Sequence, residues 1–212
     1  MSELVLPLVV RIERADPPAR TDALEAAARG VLLMLTAGRD EWAEAIEAWD
    51  GQRIRKVVRR ARGAEWRRAL TLDGLDVVQG NAEVRAYPPV AVDAWPPELA
   101  RLQVGGTELT DPEPPPAVAD RTPLILLSPH VEMTAGKAMA QAAHAAQLGW
   151  RASSPAAREA WLAVDFELAV RDATPAQWSA AIESGAPVVH DGGFTEVEPD
   201  TQTALAQLPW LS

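Results

Sequence analysis

The stretch "VVRRARGAEWRRAL" at residues 57–70 has a counterpart, "LAVRDATPAQWSAAI", at 168–182, with Trp66 matching Trp178 at an offset of 112 positions. An internal repeat constrains a fold more than any local pattern, because each copy must adopt the same supersecondary unit. The pieces around this pair correspond too. "LPLVVRIE" matches "PLILLS", the alanine-rich "RTDALEAAARGVLLML" matches "TAGKAMAQAAHAAQLGW", and "DEWAEAIEAW" matches "AAREAWLAV". "LDVVQGNAEV" then matches "PVVHDGGFTEV". The alanine-rich helices align Leu24 with Met139 at an offset of 115, the small change that a loop insertion produces. Between the copies lies "TDPEPPPAVADRTP", an exposed extended linker by composition. The division read from this is a first unit at residues 1–109, a linker at 110–122 and a second unit at 123–212.

Each copy reads as strand, helix, helix, strand, helix, strand, strand. Short Val-, Ile- and Leu-rich runs alternating with helical periods predict an α/β fold. The order is not that of a fully parallel sheet, so each unit is expected to hold a mixed sheet of about four strands layered with helices. Hydrophobic residues make up 48% of the 212-residue chain and charged residues 24%, an ordinary globular balance. There is no cysteine, which excludes disulfides and thiolate metal sites and suits a reducing cytoplasm. The start, "MSELVLPLVVRIER", is poorly shaped for a signal peptide, and nothing approaches the ~20 apolar residues of a membrane span. The expected location is cytoplasmic, with no membrane contact.

The formal net charge is −10, against the basic footprint of a nucleic-acid binder. Its distribution is uneven. Residues 53–68, "RIRKVVRRARGAEWRR", carry eight basic residues and one acidic residue. The bland reading is a solvated face. The sharper one is a phosphate-docking surface made of Arg53, Arg55, Lys56, Arg59, Arg60 and Arg62.

In "EMTAGKAMAQAAHAAQ" (132–147), Thr134 is a plausible N-cap, and Lys137, Gln141 and His144 fall on one helical face. A lysine near a helix N-terminus gains nothing from the macrodipole, so its presence there points to an anion or a polarised oxygen. The second polar cluster is "HDGGFTEVEPDTQT" (190–203), where Gly192 and Gly193 permit unusual backbone angles. On local pattern alone it also fits an Asx-type turn between two strands. His130 and His190 read as surface or strand-end residues, and no metal-ligand spacing is present.

Together, "MTAGKAMAQAAHAA" and "VVHDGGFTEVEPDTQT" resemble the second-type (archaeal and eukaryotic-type) peptidyl-tRNA hydrolases over roughly residues 123–209. Lys137, Gln141 and His144 fall on that family's helix motif. Asp191, Gly193, Thr195, Pro199 and Thr203 fall on its later motif. Phe194 and Glu196 stand where that family has arginine and glutamine, His130 and Glu132 depart from its strand-end pattern, and Ala135 stands where lysine is common. In the first copy the aligned positions hold Asp22, Ala26 and Arg29, and Gln79 and Ala82 stand for Asp191 and Thr195.

The resemblance implies hydrolysis of the ester joining a peptide to the 3′-ribose of tRNA. Lys137 would face the oxyanion, Asp191 would orient or deprotonate water, and His144, titrating near neutral pH, would pass a proton to the leaving oxygen. Gln141 and Thr195 would hold water or ester, and Gly193 and Thr203 would touch substrate. No metal or organic cofactor is expected. The chain would act as a monomeric pseudo-dimer with one degenerate half that supplies the phosphate contacts. The alternatives are an inactive RNA- or protein-binding module on the same scaffold, and a hydrolase of smaller acyl esters.

Overall fold

A computed structural model describes residues 2–193 and 196–211. The first half runs β1 (Leu4–Arg11), α1 (Arg20–Leu35), α2 (Asp40–Asp50), β2 (Arg55–Ala61), α3 (Gly63–Ala69), β3 (Leu75–Gln79) and β4 (Ala82–Ala86). A short β5 (Val90–Ala91) and α4 (Pro97–Ala100) follow. The second half runs β6 (Leu124–Leu127), α5 (Ala135–Ala152), α6 (Pro155–Ala163), β7 (Ala169–Asp172), α7 (Pro175–Glu183), β8 (Val188–His190) and β9 (Gln202–Gln207).

The sheets are ordered β2-β1-β4-β3 and β7-β6-β9-β8, the same order in the two copies, with β5 added beside β1. β2 and β7 pair in parallel with the central strands, and the other pairings are antiparallel. The fold is therefore α/β with two mixed sheets, as the repeat predicts; the first has five strands rather than four. No helix among the described residues is long and apolar enough to cross a membrane.

Both faces of the central strands are apolar because both are covered. Leu6, Leu8 and Val10 of β1, with Ile125 and Leu127 of β6, point into one core that spans the two halves. Val9 faces outward onto Trp66, Tyr87 and Leu99 beneath α3 and α4. Leu126 faces outward onto Trp178 beneath α7. Each unit is thus an outer helix, a sheet and an inner helical layer. The inner layers meet along α1 and α5, which make the most extensive contact between any two helices. Small residues also bring each inner helix close to its own sheet, and a Cβ on Gly30 would lie 3.5 Å from Ala86 Cβ and 3.6 Å from Val77 Cγ2. Ala23, Ala26 and Ala27 of α1 and Ala138, Ala142 and Ala145 of α5 are fully buried. Gly149 leaves no room at all, since a Cβ there would sit 2.9 Å from Ala206 Cβ.

Two local details repeat at the offset of 112. Trp49 Nε1 donates to the Arg55 carbonyl at 2.8 Å, and Trp161 Nε1 to the Glu167 carbonyl at 2.9 Å. Ile54 and Phe166 both take positive φ, 47° and 55°. Positive φ at a bulky apolar residue is strained, and it recurs at matched positions of the two halves.

The copies differ where it matters for function. β3 and β4 are joined by the tight hairpin Gly80-Asn81, with Gln79 paired to Ala82. In the second half His190 pairs with Gln202, and residues 191–201 fill the connection. By strand register, Val189 follows Val77 by 112 positions and Ala204 follows Val84 by 120, so eight residues are inserted between β8 and β9. This corrects the sequence alignment: the counterpart of Ala82 is Gln202, and Thr195 falls in an insertion that the first half lacks. Thr195, like Phe194, lies outside the described residues.

Candidate functional site

The helix α5 begins as its sequence requires. Thr134 is the N-cap, and its Oγ1 accepts the Lys137 N–H at 3.3 Å. Glu196 then accepts from the Thr134 N–H at 3.0 Å and its Oγ1 at 2.7 Å. A carboxylate at a helix N-terminus is favoured by the macrodipole, so the glutamate that departs from the resembled motif secures the loop to the helix.

Lys137, Gln141 and Asp191 meet. Lys137 Nζ lies 2.6 Å from Asp191 Oδ2, and the side chains are 9% and 8% exposed. Gln141 Nε2 donates to the same oxygen at 2.8 Å. Its Oε1 accepts from Thr203 Oγ1 at 2.5 Å, which fixes the amide's orientation. Asp191 Oδ1 accepts the Gly193 N–H at 2.8 Å, closing an Asx turn. The two readings of this stretch are one structure: the turn presents the carboxylate. Gly193 adopts φ +71°, and a Cβ there would lie 2.5 Å from Pro199 Cγ, so no other residue fits without moving the loop.

This network forms one wall of a cavity of about 460 Å³ between the halves. Gly136, Lys137, Ala140, Gln141 and His144 line it from α5, and His190, Asp191, Gly192 and Glu196 from the loop. Arg53, Arg55, Lys56, Val57 and Val58 line it from the first half, along with Glu3 and Val104. Three of the six basic residues proposed from sequence therefore reach the cavity. Arg55 Nη1 pairs with Glu3 Oε2 at 3.4 Å. Lys56 Nζ donates to Gln147 Oε1 at 2.7 Å and the Ile54 carbonyl at 3.0 Å, above the Trp49 ring. Burial, then nearby Arg151, pushes its pKa well below the ordinary lysine value, with Asp50 opposing.

The other three lie elsewhere. Arg59 stacks on Trp95 and donates to the carbonyls of Ala100 and Leu102, and burial lowers its pKa. Arg60 is held by Gln103, and Arg62 is exposed at the N-cap position of α3.

His144 reaches the cavity but not with the expected chemistry. Burial, followed by the charges of Lys56, Arg151 and Lys137, pushes its pKa down to about 2. The expectation of titration near neutral pH is corrected: the imidazole is neutral, with one N–H and one lone pair to offer. The three cations come from β2, the end of α5 and its beginning, a grouping that exists only in the folded chain.

The matching place in the first half is closed. Glu25, 6% exposed, accepts from the Val170 N–H at 3.1 Å, Arg171 Nη1 at 2.8 Å and Gln79 Nε2 at 3.1 Å. Arg29 bonds Gln79, the Val78 carbonyl and Asp165. At the helix offset of 115 Glu25 corresponds to Ala140, so a plug in one copy is a void in the other. Sequence reasoning missed Ala140, Glu3, Val104 and His190. Only Ala140 carried a signal, as the small residue opposite a charged one. Comparison of the chain with known protein families and with curated proteins found no match.

Proposed function

We propose that the chain hydrolyses the ester of peptidyl-tRNA. The observation that carries this reading is the convergence of Lys137, Gln141, His144 and Asp191 on one cleft that Arg53 and Arg55 also line. The acyl carbonyl enters beside the Lys137 ammonium, which meets the negative charge that builds on oxygen as water attacks. Asp191 holds that ammonium in place, and Gln141 in turn holds Asp191. Neutral His144 orients the water or the ribose oxygen through a hydrogen bond. The water oxygen bonds to the acyl carbon as the ester C–O bond breaks; one water proton leaves on the ribose oxygen, and the other is released to solvent as the acyl group departs as a carboxylate. Arg53 and Arg55 meet the phosphates of the single-stranded tRNA end.

A second reading, a binding module, is favoured by one observation: Asp191 already accepts from three donors. A carboxylate so engaged positions its neighbours better than it takes a proton from water. Release of N-acetylated amino acid from its tRNA by the purified protein separates the two; binding without turnover at every salt concentration selects the module.

The halves divide the labour in a measurable way. The pair Arg53→Ala with Arg55→Ala is expected to weaken tRNA binding and flatten its salt dependence by about 0.7 in log–log slope per lost phosphate contact. Arg59→Ala with Arg60→Ala is expected to leave that slope unchanged, because those guanidinium groups bind their own chain. Filter binding between low and moderate salt checks both, and equal slopes for the two pairs would remove the docking role.

A further inference from the structure

β2 is an edge strand, and half of its edge is unused. In a parallel pair, alternate residues direct both main-chain groups to the neighbouring strand and the rest direct theirs outward. The Ile12 N–H donates to the Ala61 carbonyl, which turns the odd-numbered residues of β2 toward β1. The even-numbered ones face out. Arg60 confirms this, since its N–H donates to the Gln103 carbonyl at 3.0 Å in an isolated antiparallel bridge. The bridge is not continued past Gln103, and beyond it Lys56 and Val58 line the cavity together with Val104. Among the described residues, no protein group meets the outward N–H and carbonyl of Val58.

The matching edge in the other half is covered. Val170, which corresponds to Val58 by strand register, gives its N–H to Glu25 and its carbonyl to Arg171. An open strand edge is costly to leave exposed and is a template for another strand. One copy closes it with side chains; the other leaves it facing the cleft that holds Lys137.

We propose that the open edge of β2 at Lys56 and Val58 takes the peptide portion of the substrate as an added antiparallel strand, extending the line begun by Gln103. The Val58 N–H donates to the carbonyl of one peptide residue, and the Val58 carbonyl accepts the N–H of that same residue, the two groups belonging to the amide planes on either side of it. Main-chain pairing reads no side chains, so acyl groups of many sequences are admitted. It does require an amide beside the ester, which an aminoacyl group with a free amine lacks. The edge would thus be the element that separates peptidyl from aminoacyl esters. The identity of this occupant rests on the hydrolase reading; the edge geometry does not.

The test uses the full chain and the blocked tripeptide N-acetyl-trialanine amide. Binding is followed by titration calorimetry, and exchange of the Val58 amide by hydrogen–deuterium NMR. The expected result is saturable binding that slows exchange at Val58. Ala140→Glu rebuilds the plug seen at Glu25 and is expected to abolish binding. Val58→Pro removes the outward N–H without touching the β1–β2 ladder, which edge strands tolerate, and is expected to weaken binding by about two- to tenfold, the range of one hydrogen bond. No binding by the unaltered protein, or undiminished binding by Ala140→Glu, overturns the proposal. Should Val58→Pro not fold, Ala140→Glu decides alone. Peptide binding without turnover of peptidyl-tRNA would remove the hydrolase reading and leave the edge as a peptide site.

Discussion

Replacing Lys137 by alanine is expected to lower turnover of peptidyl-tRNA by about 10²- to 10³-fold, the loss that follows removal of one oxyanion-stabilising donor. The same change leaves Asp191 as a buried carboxylate without its cation. Breaking a buried pair from one side costs about 3–5 kcal/mol. Activity and stability should therefore fall together in the single variant. They should come apart in the double variant Lys137→Met with Asp191→Asn, because two neutral groups of similar size relieve the unpaired charge. That protein is expected to regain most of the lost stability and none of the lost turnover. Urea unfolding beside initial rates checks both halves of the statement. Full turnover by Lys137→Ala would mean that the ammonium only braces the loop.

Acid should expose the second large effect. The folded chain holds His144 neutral down to about 2, whereas the unfolded imidazole protonates near 6.5. A depressed histidine contributes its full stability above the unfolded value. Below it, the unfolded state gains a proton that the folded state refuses, and stability falls by up to about 1.4 kcal/mol per pH unit. At pH 4.5 the unaltered protein should have lost up to about 2.7 kcal/mol through this group alone. His144→Asn cannot titrate and should lose correspondingly less between pH 7.5 and 4.5. Urea midpoints at the two pH values make the comparison, and parallel profiles for the two proteins would show that His144 protonates in place. Any turnover by the unaltered protein should show no inflection near pH 6.5 arising from this residue.

Much of the architecture could be read from the chain because local chemistry and global fold agree. The strand–helix order followed from apolar periods, Thr134 is the N-cap its position suggested, and Lys137 and Gln141 share the face that their spacing required. Two kinds of fact were out of reach. Register in the last strand was one: "TALAQL" offers no turn residue to pin it, so Thr195 was matched with Ala82 when the true partner is Gln202. Long-range electrostatics was the other. Nothing local to His144 announces that Lys56 and Arg151 converge on it. Nothing within "RIRKVVRRAR" separates Arg55, beside the cleft, from Arg59, turned away to lie on Trp95. Glu25 likewise reads as an ordinary helix carboxylate until β7 is brought beside it.

The core that both halves share has a consequence for how this polypeptide is made. Translation delivers about 5–20 residues per second, so the amino-terminal copy leaves the ribosome several seconds or more before α5 exists to cover α1. During that wait the side of α1 opposite Gly30, with Ala28 and Leu32, is an apolar surface with nothing against it. The carboxy-terminal copy thus completes the first unit as it completes itself.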